Sequence, residues 1–268
     1  VANPDSILLV GCGKMGSALM AGWIDRGTSP ESIFVVDPAA AALPVGVSGG
    51  GSIDDIPQNF LPSVVVLAVK PQVMDAVVAP YVKLVAPETV FLSIAAGRNV
   101  ASFEALLGAD AGIVRAMPNT PAAVGRGITV LFANTLVSAA QRLSCETLLS
   151  AVGKVAWIDE EAHMDAVTGV SGSGPAYVFH LVEAMAQAGI AAGLPSDLAM
   201  TLARETVAGS GELLAQSDES AATLRENVTS PGGTTAAALD ILMADDGLAK
   251  LMIAAILRAT ERSRELAG

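Results

Sequence analysis

Two kinds of apolar pattern divide the chain. In the first part apolar residues come as short runs, unbroken at Ile7–Val10, Ile33–Val36, 64–69 and 155–158 and carrying one polar residue each at 90–94, 113–117 and 128–132. Such runs predict parallel strands covered on both faces, since a strand with one wet face alternates polar and apolar positions. Between them 15–26 reads as a helix closed by Gly27, 38–51 is rich in Ala and Gly, 52–62 reads as a short helix or loop, and 138–152 reads as a further helix. From Asp159 onward the runs disappear. The remainder predicts helices at 159–170, 175–192, Ser196–Gln216, 220–227, 234–244 and 246–265, with Pro175 and Pro195 where a helix can begin and Gly189 and Gly193 near an end. An α/β domain over 1–158 followed by an all-helical domain over 159–268 is the expectation.

The first strand breaks into Gly11-Cys12-Gly13-Lys14-Met15-Gly16, the spacing G-x-G-x-x-G. The first glycine permits a tight turn, the second lets backbone approach a pyrophosphate, and the third lets helix pack on strand. Free N–H groups then stand at a positive helix terminus. Set in a βαβ unit, this is a dinucleotide cradle, and the α/β domain is expected to be of the Rossmann type. Asp37 closes the second strand about twenty residues beyond the last glycine, where a carboxylate binds the adenosine ribose. No Lys or Arg occurs from Asp37 through Val69. A 2′-phosphate would therefore face a carboxylate, and two unit charges 4 Å apart repel by roughly 4 kcal/mol at an effective dielectric of 20. The cofactor is expected to be NADPH or NADH, and Asp37 leans towards NADH. Lys14 and Arg26 are the cations that could fold over and rescue NADPH.

Ligands in open α/β sheets bind beyond the carboxyl ends of the strands. The residues there are Ala68-Val69-Lys70-Pro71, Ser93-Ile94-Ala95-Ala96-Gly97 and Pro118-Asn119-Thr120-Pro121. Lys70, Ser93 and Asn119 are candidates to surround the nicotinamide. Each also has a structural use: Lys70 can cap a strand end, Ser93 can be a small core residue, and Asn119 can hold a turn. Arg115, inside an apolar strand, reads as an ion-pair partner, and His163 and His180 as helix residues rather than catalysts.

Composition narrows the partners. A net charge of −12 disfavours nucleic acid, which needs basic patches. Hydrophobic residues make up 52 % and charged residues 16 %, yet no unbroken apolar stretch reaches membrane-spanning length, and Glu183, Pro195, Asp197 and Arg204 interrupt the best candidate region. No membrane partner is expected, and no signal-peptide pattern opens the sequence, so the expected location is cytoplasmic. The two cysteines, Cys12 and Cys145, suit a reduced compartment. No metal is assigned. The surplus of aliphatic side chains points to a homo-oligomer that buries them between subunits.

Two stretches of the helical part are unlike helix sequence: Val170-Ser171-Gly172-Ser173-Gly174-Pro175-Ala176-Tyr177 and Asn227-Val228-Thr229-Ser230-Pro231-Gly232-Gly233-Thr234-Thr235. Glycines and small hydroxyls leading into a helix expose N–H groups that suit a carboxylate, although a tight interhelical turn has the same composition. With the Gly-rich loop, Ala68-Val69-Lys70-Pro71-Gln72 and Met117-Pro118-Asn119-Thr120-Pro121, these stretches make the chain resemble the pyrroline-5-carboxylate reductases over nearly its whole length. The resemblance implies that the helical domain interlocks with a second subunit, with dimers often assembled into larger rings. It also implies reduction of the C=N carbon of 1-pyrroline-5-carboxylate to give L-proline.

The cofactor-binding residues would be Gly11, Cys12, Gly13, Lys14, Met15, Gly16, Asp37, Ala68, Val69, Lys70, Pro71, Ala95, Ala96 and Gly97. The substrate would meet Ser230, Gly232, Gly233, Thr234, Asn119 and Ser173, with Thr235 facing the ring nitrogen and Thr235 and Lys70 as catalytic candidates. Asp37 and Lys14 depart from the family's common NADPH-preferring pattern. A cyclic imine, basic enough to protonate in part near neutral pH, needs no strong acid beside it, and no Lys lies between Lys154 and Lys250. That span argues against a β-hydroxyacid dehydrogenase, which uses a lysine on its interdomain helix. A non-catalytic NAD(P)-sensing protein would leave the hydroxyl-rich Thr229-to-Thr235 loop without a task.

Overall fold

The computed structural model describes residues 6–39 and 42–267; Ala40 and Ala41, in the stretch read as Ala- and Gly-rich, and the extreme ends of both expected domains lie outside the described residues. Eight strands form one sheet: β1 Ile7–Val10, β2 Ile33–Val36, β3 Ser48–Gly50, β4 Val64–Leu67, β5 Val90–Ser93, β6 Gly112–Met117, β7 Gly127–Ala133 and β8 Gly153–Trp157. Their spatial order is β3-β2-β1-β4-β5-β6-β7-β8. All neighbours are parallel except β6 and β7. Order 3-2-1-4-5-6 is that of a Rossmann domain, and the reversal between β1 and β4 marks the crevice where such folds bind dinucleotides.

Why unbroken apolar strands suit this place is visible in the packing. Ile7, Leu9, Val35, Val64, Val66 and Leu92 face one layer, against Leu19 and Trp23 of α1 (Lys14–Asp25) and Leu148 and Leu149 of α4 (Ala139–Ser150). Leu8, Val10, Phe34, Val65, Leu67 and Phe91 face the other, against Met74 and Val78 of α2 (Met74–Val78) and Phe103 and Leu107 of α3 (Val100–Leu107). Each such side chain, buried, contributes about 1.5–3 kcal/mol. Neither α2 nor α3 is part of the sequence reading, because five- and eight-residue helices are too short to display a helical period. Strand β3 also escapes it: Ser-Gly-Gly carries no apolar signal, and the strand is an edge held by backbone pairing to β2.

Beyond β8 come α5 (Met164–Val167), a π-helical turn over Thr168–Gly172, α6 (Gly174–Ala191), α7 (Ser196–Gln216), α8 (Ala221–Asn227), α9 (Thr234–Leu242) and α10 (Leu248–Ala267). The chain up to Gly172, with the stretch from Thr260 on, forms one compact unit, and Ser173–Ala259 forms the second. Residues 159–172 stay with the sheet for identifiable reasons. Met164 is fully buried, Asn119 Nδ2 donates to Ser171 O at 3.2 Å, and Ser263 Oγ of the last turns of α10 donates to Asp165 Oδ1 at 2.7 Å. In the second unit α6 and α7 pack through small residues: a Cβ on Gly189 would stand 3.1 Å from Ala199 Cβ. Only Ala186, Ala199 and Ala203 of these two helices are buried.

Candidate active site

In the first unit the ends of β1, β4 and β5 lie in register, Val10 beside Leu67 and Leu67 beside Ser93, so the loops that follow them converge on one sheet edge. Gly11 has φ +93°, and a Cβ there would stand 2.9 Å from the Ala68 carbonyl, so the loop lies directly on the end of β4 and only glycine fits. Around Gly13 the same construction meets nothing within 4 Å, which leaves that face open. A Cβ on Gly16 would overlap Gly11 O, so the third glycine is what lets α1 sit on the turn. Gly13 caps α1 without any side-chain bond, so the first-turn N–H groups are available to a diphosphate. These features fit a dinucleotide.

Asp37, partly buried at the end of β2, accepts from Cys12 N through Oδ2 at 2.6 Å and from Ala39 N through Oδ1 at 2.8 Å. Lys14 is exposed on the first turn of α1. Arg26 stands at the opposite end of that helix, which at 1.5 Å per residue is about 18 Å long. The idea that Arg26 folds over the ribose site is thereby corrected: a rigid helix holds it away.

Lys70 is exposed and leads into a tight turn at Pro71–Val73, while Ala68 N donates to Val10 O at 2.8 Å. Ser93 is only 1 % exposed and accepts from Ala95 N at 3.3 Å, so it braces the Ala95-Ala96-Gly97 turn from inside the core and does not open to the crevice. Asn119 uses both ends of its amide internally. Its Oδ1 accepts from Ile128 N at 3.0 Å while Nδ2 holds Ser171 O. Arg115 is paired in the way its strand setting implied: its Nη1 lies 3.0 Å from Glu161 Oε1, which also accepts from Val100 N at 2.8 Å. His163 and His180 stand beside Glu160 and Glu183 on exposed helix faces.

In the second unit Ser230, Gly232, Gly233, Thr234 and Thr235 form one turn that opens α9. Gly232 has φ +68°, Gly233 N donates to Ser230 O at 3.0 Å, and Gly233 caps the helix with no side-chain bond. The N–H groups of Thr234 and Thr235, two threonine hydroxyls and the positive end of a nine-residue helix are thus gathered within one turn. Ser173 stands immediately before α6, its carbonyl accepting from Ala176 N at 3.0 Å. Among the described residues no hydrogen bond joins it to the α9 turn.

Comparison with known proteins decides the family. Residues 161–266 match the model of pyrroline-5-carboxylate reductase dimerisation, and 6–97 match that of NADP oxidoreductase coenzyme F420-dependent. A pyrroline-5-carboxylate reductase of Pseudomonas aeruginosa is 43 % identical over 97 % of this chain and 96 % of its own length. A solved pyrroline-5-carboxylate reductase of Coxiella burnetii superposes with a TM-score of 0.92 at 35 % identity, over 99 % of this chain and 100 % of the other. A pyrroline carboxylate reductase of Plasmodium falciparum, solved with NADP bound, does so with a TM-score of 0.80 at 29 % identity, over 98 % of each chain.

The chain belongs to the pyrroline-5-carboxylate reductase family. It is an NAD(P)H-dependent oxidoreductase with a Rossmann-like domain, and its helical part is the family's dimerisation region. No described helix is long and apolar enough to cross a membrane.

Within this reductase some supporting residues had no signal in the sequence. Ser17 Oγ donates to Cys12 O at 2.9 Å, Glu161 joins β6 to the start of α3, and Arg98, in the loop after β5, pairs with Asp75 of α2. All three connect positions distant in sequence or sit in ordinary helix contexts, so only the fold reveals them.

Proposed function

We propose that this chain reduces 1-pyrroline-5-carboxylate to L-proline by the following division of labour. Gly11 and Cys12 shape the cofactor loop and Gly13, Lys14, Met15 and Gly16 bind the diphosphate, with Ala68, Val69, Lys70 and Pro71 and with Ala95, Ala96 and Gly97 lining the rest of the dinucleotide. Bound NAD(P)H supplies a hydride to the C=N carbon. Ser230, Gly232, Gly233 and Thr234 hold the substrate carboxylate on N–H and hydroxyl donors. Thr235 hydrogen-bonds the ring nitrogen, fixing its orientation and serving as the proton donor if one is required. Lys70 adds a positive charge near the nicotinamide, Asn119 keeps its loop in place, and Ser173 contributes a second donor to the substrate. Recognition of the anion by main-chain amides suits an iminium substrate, which a buried arginine would repel.

The observation that carries this reading is the uncapped, hydroxyl-bearing turn at the start of α9. NADH is the preferred cofactor, supported by the anchored Asp37 carboxylate and by Arg26 being held at the far end of α1. Dimers assemble further into rings, and the location is cytoplasmic, in keeping with two free thiols. Nicotinamide absorbance tests the activity and the cofactor together. Loss of reduced cofactor is expected with pyrroline-5-carboxylate, with kcat/KM higher for NADH, and no formation of reduced cofactor is expected from NAD+ or NADP+ with a 3-hydroxyacid. Asp37→Ser should move the NADPH-to-NADH ratio by about tenfold towards NADPH. A wild type that strongly prefers NADPH contradicts the charge argument, and turnover of the hydroxyacid alone contradicts the reaction.

A further inference from the structure

The Cys12 peptide is held at both ends. Its N–H donates to Asp37 Oδ2 at 2.6 Å, and its carbonyl accepts from Ser17 Oγ at 2.9 Å. One residue earlier Gly11 N donates to Val36 O at 2.9 Å, so two successive amides of the Gly-rich loop are turned towards the end of β2 and away from the diphosphate face. The second oxygen of Asp37 is fixed in turn by Ala39 N at 2.8 Å, so the carboxylate is held in place from both sides as a rigid post. A short bond from an amide to a carboxylate is charge-assisted and about twice as strong as a neutral one. The amides that remain for phosphate are those from the open Gly13 face into the first turn of α1, and their direction depends on where Cys12 is pinned.

From this we infer that Asp37 is a positioning residue for the diphosphate loop as well as the partner of the adenosine ribose, so the two subsites are coupled through the Asp37–Cys12 bond. The inference rests on the dinucleotide reading above and adds to it. A carboxylate that met only the ribose would leave phosphate binding untouched when removed, or improve it, because a negative charge would be gone. A carboxylate that holds the loop has the opposite sign: without it the loop amides lose their fixed direction, and ordering them again opposes phosphate binding. It follows that Asp37 cannot be exchanged for NADPH use without loss for both cofactors.

The test compares adenosine with ADP as ligands of the full-length protein, by competition against bound NADH, in the wild type, Asp37→Ser and Asp37→Asn. The quantity read is the factor by which the diphosphate tightens binding, Kd of adenosine over Kd of ADP. Asp37→Ser is expected to lower that factor by about tenfold, as loss of one charge-assisted bond would. Asp37→Asn, whose amide oxygen can still accept from Cys12 N, is expected to recover most of it. Equal weakening of adenosine and ADP in Asp37→Ser, or a larger factor than in the wild type, would overturn the coupling while leaving the ribose assignment intact. A wild type that binds neither ADP nor NADH would overturn the dinucleotide reading itself. Thermal melts of each variant ensure that only folded protein is compared.

Discussion

The sheet and the helical unit are equally apolar in sequence and opposite in how they use it. Strands β1, β2, β4 and β5 bury every one of their residues between two layers of helix. In α6, α7 and α10 the large apolar side chains point outward: Phe179, Leu181, Leu202, Leu213, Leu251, Ile253 and Leu257 are all exposed in the single chain. A finished core and half of one are being compared. The helices of the second unit pack through alanine and glycine and leave their larger residues for another surface, which in a chain carrying this family's dimerisation region is a second copy.

The comparison breaks most sharply under matched insertions of charge. Val66→Asp buries an unpaired carboxylate in the sheet, at a cost of several kcal/mol, and should abolish folding at any protein concentration. Leu202→Asp should instead leave the sheet folded, lower the molecular mass in solution, and remove the dependence of melting temperature on protein concentration that the associating wild type shows, because only association is weakened. Light scattering and melts across a dilution series check both. A Leu202→Asp protein that keeps wild-type mass would mean that this face of α7 is wet.

A smaller effect is expected at the turn that opens α9. Thr235→Ala should lower kcat by about 10²-fold with little change in melting temperature if the hydroxyl delivers a proton, and only a few-fold if it orients the ring. Steady-state kinetics separate these, and unchanged kcat removes Thr235 from the reaction.

The smallest effect sharpens the contrast between buried and open thiols. Burial pushes the Cys145 thiol from its ordinary 9.0 up to about 12, and the Tyr81 hydroxyl from 10.0 to about 12. Both groups ionise earlier in the unfolded chain, so it loses protons first and stability falls as pH rises from about 9 to about 12. Denaturant titrations should show that slope, shallower in Cys145→Ala. A thiol reagent should modify the partly exposed Cys12 in the native protein and Cys145 only after unfolding.

What is legible in the residues follows the same division. Unbroken runs such as Ile7–Val10 and Val64–Leu67 state their burial openly, and helices as long as α6 and α7 have room for their period, so their ends agree with the expected ones to within a residue. Strand β3 and helix α2 do not, because one is glycine-rich and the other has only five residues. In the site, the G-x-G-x-x-G spacing was legible because each glycine answers a separate steric demand. The engagement of Asn119 with Ser171 and Ile128 was not, since it joins residues brought together only by the turn after β6.

On the proposed reading the sheet unit holds the nucleotide, and the helical unit holds the anionic ring on backbone amides. A crystal structure of the protein with L-proline tests this most directly. The carboxylate is expected on the N–H groups of residues 232–235, with the Thr235 hydroxyl at the ring nitrogen. A carboxylate bound by Lys70 or another cationic side chain, with the α9 turn empty, would contradict it.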